Sequence, residues 1–113
     1  MRGDLVTVAM PGNFGKPRPA LVIQSDQFDE HPSVTLLPVT STLVTVPLLR
    51  ITLEPSEENG LQKISQVMVD KAITVKRDKV GTAFGRIDPK VSLEVERCLA
   101  LFFWHCDVNH CAS

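Results

Sequence analysis

The sequence is notable first for what it lacks. No apolar run approaches the ~20 residues that span a bilayer, so no membrane segment is expected. No apolar core follows Met1-Arg2-Gly3-Asp4 to form a secretory leader, and a cytoplasmic protein is the default expectation. Cysteine is scarce and odd in number, with three residues (Cys98, Cys106, Cys111) confined to the C-terminal end, which argues against a disulfide framework. Internal repeats and low-complexity tracts are absent, and 113 residues leave room for one compact domain, 1–113. Nor is there an excess of charge of one sign: the formal net charge is -1, unlike that of a general nucleic-acid binder.

The charge that is present is unevenly placed. Lys71, Lys76, Arg77, Lys79, Arg86 and Lys90 face only Asp78 and Asp88 between residues 71 and 90. Asp26, Asp29, Glu30, Glu54, Glu57 and Glu58 face only Arg50 between residues 25 and 60. A locally basic face can attract phosphates on a neutral protein, and solvated loops account for the same pattern.

Short strands fill the first two-thirds of the chain. Leu5 to Met10 is β-rich and closes on Pro11-Gly12. In Arg18 to Gln24 the Ala20-Leu21-Val22-Ile23 stretch is apolar on both faces, which predicts burial on both sides or a subunit interface on one. Val34 to Thr40 is a third strand whose Pro38 cannot donate to a ladder, so an edge or a bulge is expected there. Leu48 to Leu53 alternates, with Leu49, Ile51 and Leu53 inward. A polar loop containing Asn59-Gly60, a favoured hairpin pair, leads to Ile64 to Asp70, where Met68 and Asp70 share a face. Two shorter strands, Ile73 to Val75 and Val80 to Ile87, are expected next.

One helix follows. Asp88 can cap it, Pro89 suits its first turn, and Val91, Val95, Cys98, Leu99 and Phe102 make a core-facing stripe. Leu93, Ala100, Leu101 and Trp104 widen the apolar surface, as if the helix also met another element or a second subunit. Strands first and helix last predict an α+β domain with a small curled, barrel-like sheet.

Several short matches carry no chemistry. Gly12-x-x-Gly15-Lys16 lacks P-loop spacing, and Gly12-Asn13-Phe14-Gly15 joins strands where a KH loop joins helices. His105, Cys106, His110 and Cys111 are zinc-type ligands, but no Gly or Pro shapes the tail, so 105–113 reads as a loose terminus and no metal is expected. The informative stretch is Gly15-Lys16-Pro17-Arg18-Pro19, with Leu37-Pro38-Val39-Thr40-Ser41. Pro17 and Pro19 stiffen the backbone around Arg18, and a pre-set guanidinium loses little entropy on gripping a phosphate. A structural salt bridge is the competing explanation for the same arginine.

In order and spacing, Arg2-Gly3-Asp4-Leu5-Val6, Arg18-Pro19-Ala20-Leu21-Val22-Ile23 and Pro38-Val39-Thr40-Ser41 together resemble the MazF/PemK family of toxin endoribonucleases, the mRNA interferases of type II toxin–antitoxin systems. The likeness runs from Arg2 to about Val75, with the final helix also expected. It implies an SH3-like barrel with a C-terminal helix (the CcdB/MazF-like fold), a homodimer, single-stranded RNA as substrate, and silencing by an antitoxin with an acidic, disordered C-terminal segment. It also implies metal-independent, sequence-specific cleavage by the 2′-hydroxyl, giving a 2′,3′-cyclic phosphate and a 5′-hydroxyl, with no cofactor.

Position by position, Arg18 matches the family's catalytic arginine and Thr40 the threonine that assists it, while Asp70 falls where one branch has an active-site aspartate. Phe14, Lys16, Ser41, Lys71, Lys76 and Arg77 are the candidate RNA contacts; Phe14 either stacks on a base or packs back onto the barrel. Two departures stand out. That branch has an arginine two positions before the aspartate, where this chain has Met68, and the loop Met10 to Pro17 lacks the His or acidic residue of several relatives, so the general base stays open, with Asp70 a candidate to accept the 2′-proton or position the nucleotide. The competing functions are a CcdB-like gyrase poison, opposed by the nine residues that follow Trp104, and a toxin homologue that binds RNA or antitoxin without cutting.

Overall fold

The computed structural model describes residues 1–9, 16–24, 26–28, 30–45 and 49–111, with side chains described as far as residue 102 apart from that of residue 28. Its strands are β1 (Asp4–Val8), β2 (Arg18–Val22), β3 (Ser33–Thr40), β4 (Arg50–Leu53), β5 (Ser65–Met68), β6 (Ile73–Lys76) and β7 (Val80–Arg86), followed by helix α1 (Pro89–Cys111). All ladders are antiparallel, running β4-β5-β3-β2-β1-β7, with β6 added to β3 off that path. The expected α+β class with a barrel-like sheet is the one observed. The sheet curls without closing, because the path ends at β4 on one side and β7 on the other.

Side-chain alternation sorts the core into two clusters on opposite faces of the sheet. Leu5, Leu21, Leu37, Val39, Ile51, Leu53, Val67 and Val69 gather under α1, which contributes Val95. Val6, Val8, Ala20, Val22, Val34 and Leu36 form the other cluster, with Ile73, Val75 and Val80 against it. The doubly apolar β2 is therefore buried on both sides within a single chain.

Helix α1 starts where its sequence says it should. Asp88 Oδ1 accepts the Lys90 N–H at 2.7 Å, satisfying a donor that the first turn leaves open. Val91, Cys98 and Leu99 lie against the first cluster as the stripe requires. Phe102, expected on that stripe, is instead exposed, as are Leu93 and Leu101.

One further expectation holds and one needs correction. The loop expected around Asn59-Gly60 is present, since Leu53 pairs with Ser65 and a long loop lies between them. The buried Asn59 side chain organises that loop, accepting from Ser56 N and Leu61 N and donating to Glu54 O. The loop rests on β7 so closely that a Cβ at Gly85 would stand 2.2 Å from the Asn59 carbonyl oxygen. The correction concerns β5, which ends at Met68. Asp70 sits on a 3-10 turn, Val69–Lys71, so the period-two pairing of Met68 with Asp70 does not hold.

Pro38 is the most consequential residue of the sheet. An edge or a bulge is what its missing N–H predicts, yet β3 is central, with β2 on one side and both β6 and β5 on the other. Ile23 N–H donates to Thr35 O, which fixes the β2–β3 phase and turns the Pro38 nitrogen away from β2. On that side β6 pairs as far as Leu36 and β5 begins at Val39, so Pro38 falls in the gap between two partners. The missing N–H ends the β5 ladder there and costs no hydrogen bond.

Candidate active site

The gap beside Pro38 opens into a cleft of about 360 Å³, lined by Arg18, Pro38, Val39, Thr40, Met68, Lys71 and Ile73. Each wall has a local cause. Arg18 opens β2 opposite Val8, its backbone stiffened by the prolines on either side. Thr40 closes β3, paired with Gln66. Met68 is the last residue of β5, and the 3-10 turn after it carries Lys71 to the rim. The result is an apolar floor with two cations and one hydroxyl above it.

Arg18 is exposed and, among the described residues, has no ion pair and no side-chain hydrogen bond. Among the described residues, the structural salt bridge that competed for this arginine is not formed. Thr40 Oγ1 accepts the Thr42 N–H at 3.1 Å, so the hydroxyl is oriented while its own hydrogen stays available to a ligand. An oriented donor beside an unpaired guanidinium suits an anion with several oxygens.

Asp70 is placed differently. Its carboxylate is in a half-buried ion pair with Arg50, and it is not among the residues lining the cleft. Arg50 is a residue that sequence reasoning passed over. It stands opposite Met68 across β4 and β5, and its Nε is buried with no partner among the described residues. Only its position as the lone base in an acidic stretch pointed to it.

The candidate RNA contacts are scattered. Lys71 reaches the cleft, while Lys16 and Ser41 are exposed near its ends, two residues before Arg18 and one after Thr40. Lys76 and Arg77 do not reach it. Lys76 pairs with Ser33, at the opposite end of β3 from Thr40, seven residues or about 23 Å away. Arg77 Nε donates to His31 O and its Nη1 contacts Met1 Sδ. Phe14 lies outside the described residues, as do the side chains of His105, Cys106, His110 and Cys111. Among the described residues no group of His, Cys, Asp or Glu is arranged to hold a metal ion.

Residues 1–103 match the model of the PemK-like, MazF-like toxins of type II toxin–antitoxin systems. The chain belongs to that family. A relative from Mycolicibacterium smegmatis, described as a probable endoribonuclease MazF, is 42% identical over 102 residues, covering 89% of this chain and 94% of its own. Among solved structures, an endoribonuclease in complex with its cognate antitoxin from a mycobacterial species superposes with a TM-score of 0.75 at 22% identity, over 88% of this chain and 90% of that one. A MazE–MazF structure from Deinococcus radiodurans gives 0.71 at 26% identity, over 89% and 91%. The family match covers β1 through most of α1, and so includes every residue that lines the cleft. No helix among the described residues is long and apolar enough to cross a membrane.

Proposed function

We propose that this member of the PemK/MazF-like toxins is a sequence-specific endoribonuclease that cuts single-stranded RNA at the Arg18–Thr40 cleft without a metal ion. The observation that carries the reading is the unpaired Arg18 guanidinium, set in a cleft beside a hydroxyl that keeps its proton to give.

RNA brings its own nucleophile, and proximity of this kind is worth roughly 7–11 kcal/mol of barrier. The 2′-oxygen attacks the adjacent phosphorus as its proton passes to water, the bond to the 5′-oxygen breaks, that oxygen takes a proton from water, and the products are a 2′,3′-cyclic phosphate and a 5′-hydroxyl. What the protein must supply is charge on the non-bridging oxygens as the phosphorane forms. Arg18 supplies it through two N–H donors and Thr40 adds a third. Lys71 holds a neighbouring phosphate, and the floor of Pro38, Met68 and Ile73 receives an unpaired base, which a duplex would keep stacked. Asp70, bound to Arg50, serves in this reading to anchor the wall beside Met68 and is not assigned the 2′-proton.

The same cationic cleft suits an acidic, disordered segment of a cognate antitoxin, which would order as it binds and occlude Arg18. The exposed Leu93 and Leu101 of α1 favour a homodimer as the working unit.

The test is to incubate purified protein with a long RNA in EDTA and map the new 5′ ends. Cuts at one short recurring sequence, each leaving a 5′-hydroxyl, are expected. RNA that stays intact while DNA breaks accumulate in cells would overturn the reading in favour of a gyrase poison.

A further inference from the structure

We infer that Gln66 is a positioning residue for RNA cleavage, its side-chain amide holding the segment that aims the Thr40 hydroxyl. The assignment rests on the nuclease reading above and adds to it a part that touches neither substrate nor phosphate.

Gln66 is a polar side chain only 7% exposed. It stands opposite Thr40 on one side and Thr52 on the other, at the centre of the three-strand patch β3-β5-β4. Its amide does not pair with either strand's backbone. Oε1 accepts the Val44 N–H at 3.0 Å and Nε2 donates to the Val44 carbonyl at 3.0 Å, with a longer contact to Thr52 Oγ1 at 3.4 Å. Only one orientation of the amide makes both bonds to Val44, so the side chain acts as a short substitute strand for the residues that leave β3.

Those residues have little else to hold them. Positions 41–45 are all exposed, including the apolar Leu43 and Val44, and contribute nothing to either core cluster. Within the same segment Thr42 N–H donates to Thr40 Oγ1. The chain of contacts therefore runs from Gln66 to Val44, along the backbone to Thr42, and into the hydroxyl of Thr40, a residue that lines the cleft. Release of Val44 frees Thr42, and the Thr40 hydroxyl loses the bond that sets its rotamer. Substrate binding through Arg18 and Lys71 does not pass through this chain, so the loss belongs in kcat and not in KM.

Gln66→Glu keeps the acceptor for Val44 N–H but sets a carboxylate against the Val44 carbonyl in place of a donor. Steady-state cleavage of a synthetic RNA is expected to show kcat about tenfold lower with KM unchanged, the scale of one lost hydrogen bond. The deciding measurement is the double mutant. In a Thr40→Val background Gln66→Glu should cost nothing more, because the group it positions is gone. Losses that multiply in full, or a kcat equal to wild type, would overturn the assignment. Gln66→Asn, one methylene too short to reach both Val44 groups, gives the same comparison if the acidic variant does not fold. Wild-type protein that leaves RNA uncut defeats the nuclease reading itself, and the role of Gln66 falls with it; wild type that cuts beside a Gln66→Glu that cuts equally well defeats only the role of Gln66.

Discussion

Strand β3 has an arginine near each end, and the two differ in what they have left to offer. At the Thr40 end, Arg18 stands in a cleft with no partner among the described residues. At the Ser33 end, Arg77 is tied down: its N–H donates to Pro32 O, its Nε to His31 O, and its Nη1 meets Met1 Sδ. Nearby, the Met1 amine and the Arg2 N–H both donate to Asp26. One end spends its cation on tethering the N-terminus, and the other keeps its cation in reserve. Basic residues are more numerous along 71–79, yet the availability of a cation, not the local count, marks the candidate site.

The largest test of that contrast exchanges the two arginines. Arg18→Ala is expected to lower kcat for RNA cleavage by roughly 10²–10³, the cost of removing one preorganised donor to developing negative charge, with the melting temperature unchanged. Arg77→Ala should do the reverse, lowering the melting temperature while leaving kcat within about twofold. Cleavage kinetics and thermal melts on the same preparations read both quantities, and a crossed result would abolish the distinction between the two ends. Next in size is Thr40→Val, which keeps the shape and removes the hydroxyl. It should cost about ten- to a hundredfold in kcat, the range for a hydrogen bond to a charged group, and Thr40→Ser should restore most of it.

The contrast was only partly legible beforehand. Alternation and capping signals located the strands and the helix start, because the period of apolar residues and the chemistry of Asp88-Pro89 are local properties. Arg18 stood out because Pro17 and Pro19 restrict backbone in ways that read directly from residue type, and Thr40 because Pro38-Val39-Thr40-Ser41 resembles the family's motif. Pairing was not legible in the same way. Pro38 argued for an edge or a bulge, and the sheet met that need with a gap between two partner strands, which is a tertiary arrangement. Lys76 and Arg77 looked like neighbours of the site because they follow Lys71 closely in sequence. Strand β6 runs away from the cleft along β3 and leaves Lys76 opposite Ser33, about 23 Å along β3 from Thr40. Asp70 sat well on an extended pattern, but the chain turns at Met68 and delivers it to Arg50. Gln66 had no signal at all, since a buried amide declares itself only through its partners.

Placement along β6 also separates the lysines. Lys71→Ala should weaken RNA binding severalfold and reduce the salt dependence of log K by about 0.7, one phosphate contact on a single strand. Lys76→Ala, at the far end of β3, should leave both unchanged. Equilibrium binding of a non-cleavable single-stranded oligonucleotide across a salt series measures the two side by side. Equal slopes for Lys71→Ala and wild type would remove Lys71 from the cleft's function and leave Arg18 as its only working cation.

The smallest effect belongs to the tethered end. Asp26 is held below its ordinary carboxylate value of 3.8, first by the Arg2 N–H and then by the hydrogen bond from the Met1 amine. A depressed folded-state value means that the ionised form favours the folded chain. The contribution is complete above about pH 3.8 and is lost as the pH falls through the lower folded value. Asp26 is solvent-exposed, so screening keeps its contribution small. The melting temperature of Asp26→Asn should thus lie slightly below wild type at pH 7, and the difference should close in acid. RNA cleavage at pH 7 should be the same in both, because nothing at this end reaches the cleft. A cleavage defect in Asp26→Asn without a stability defect would mean that the two ends of β3 communicate, and the division between a tethering end and a working end would have to be given up.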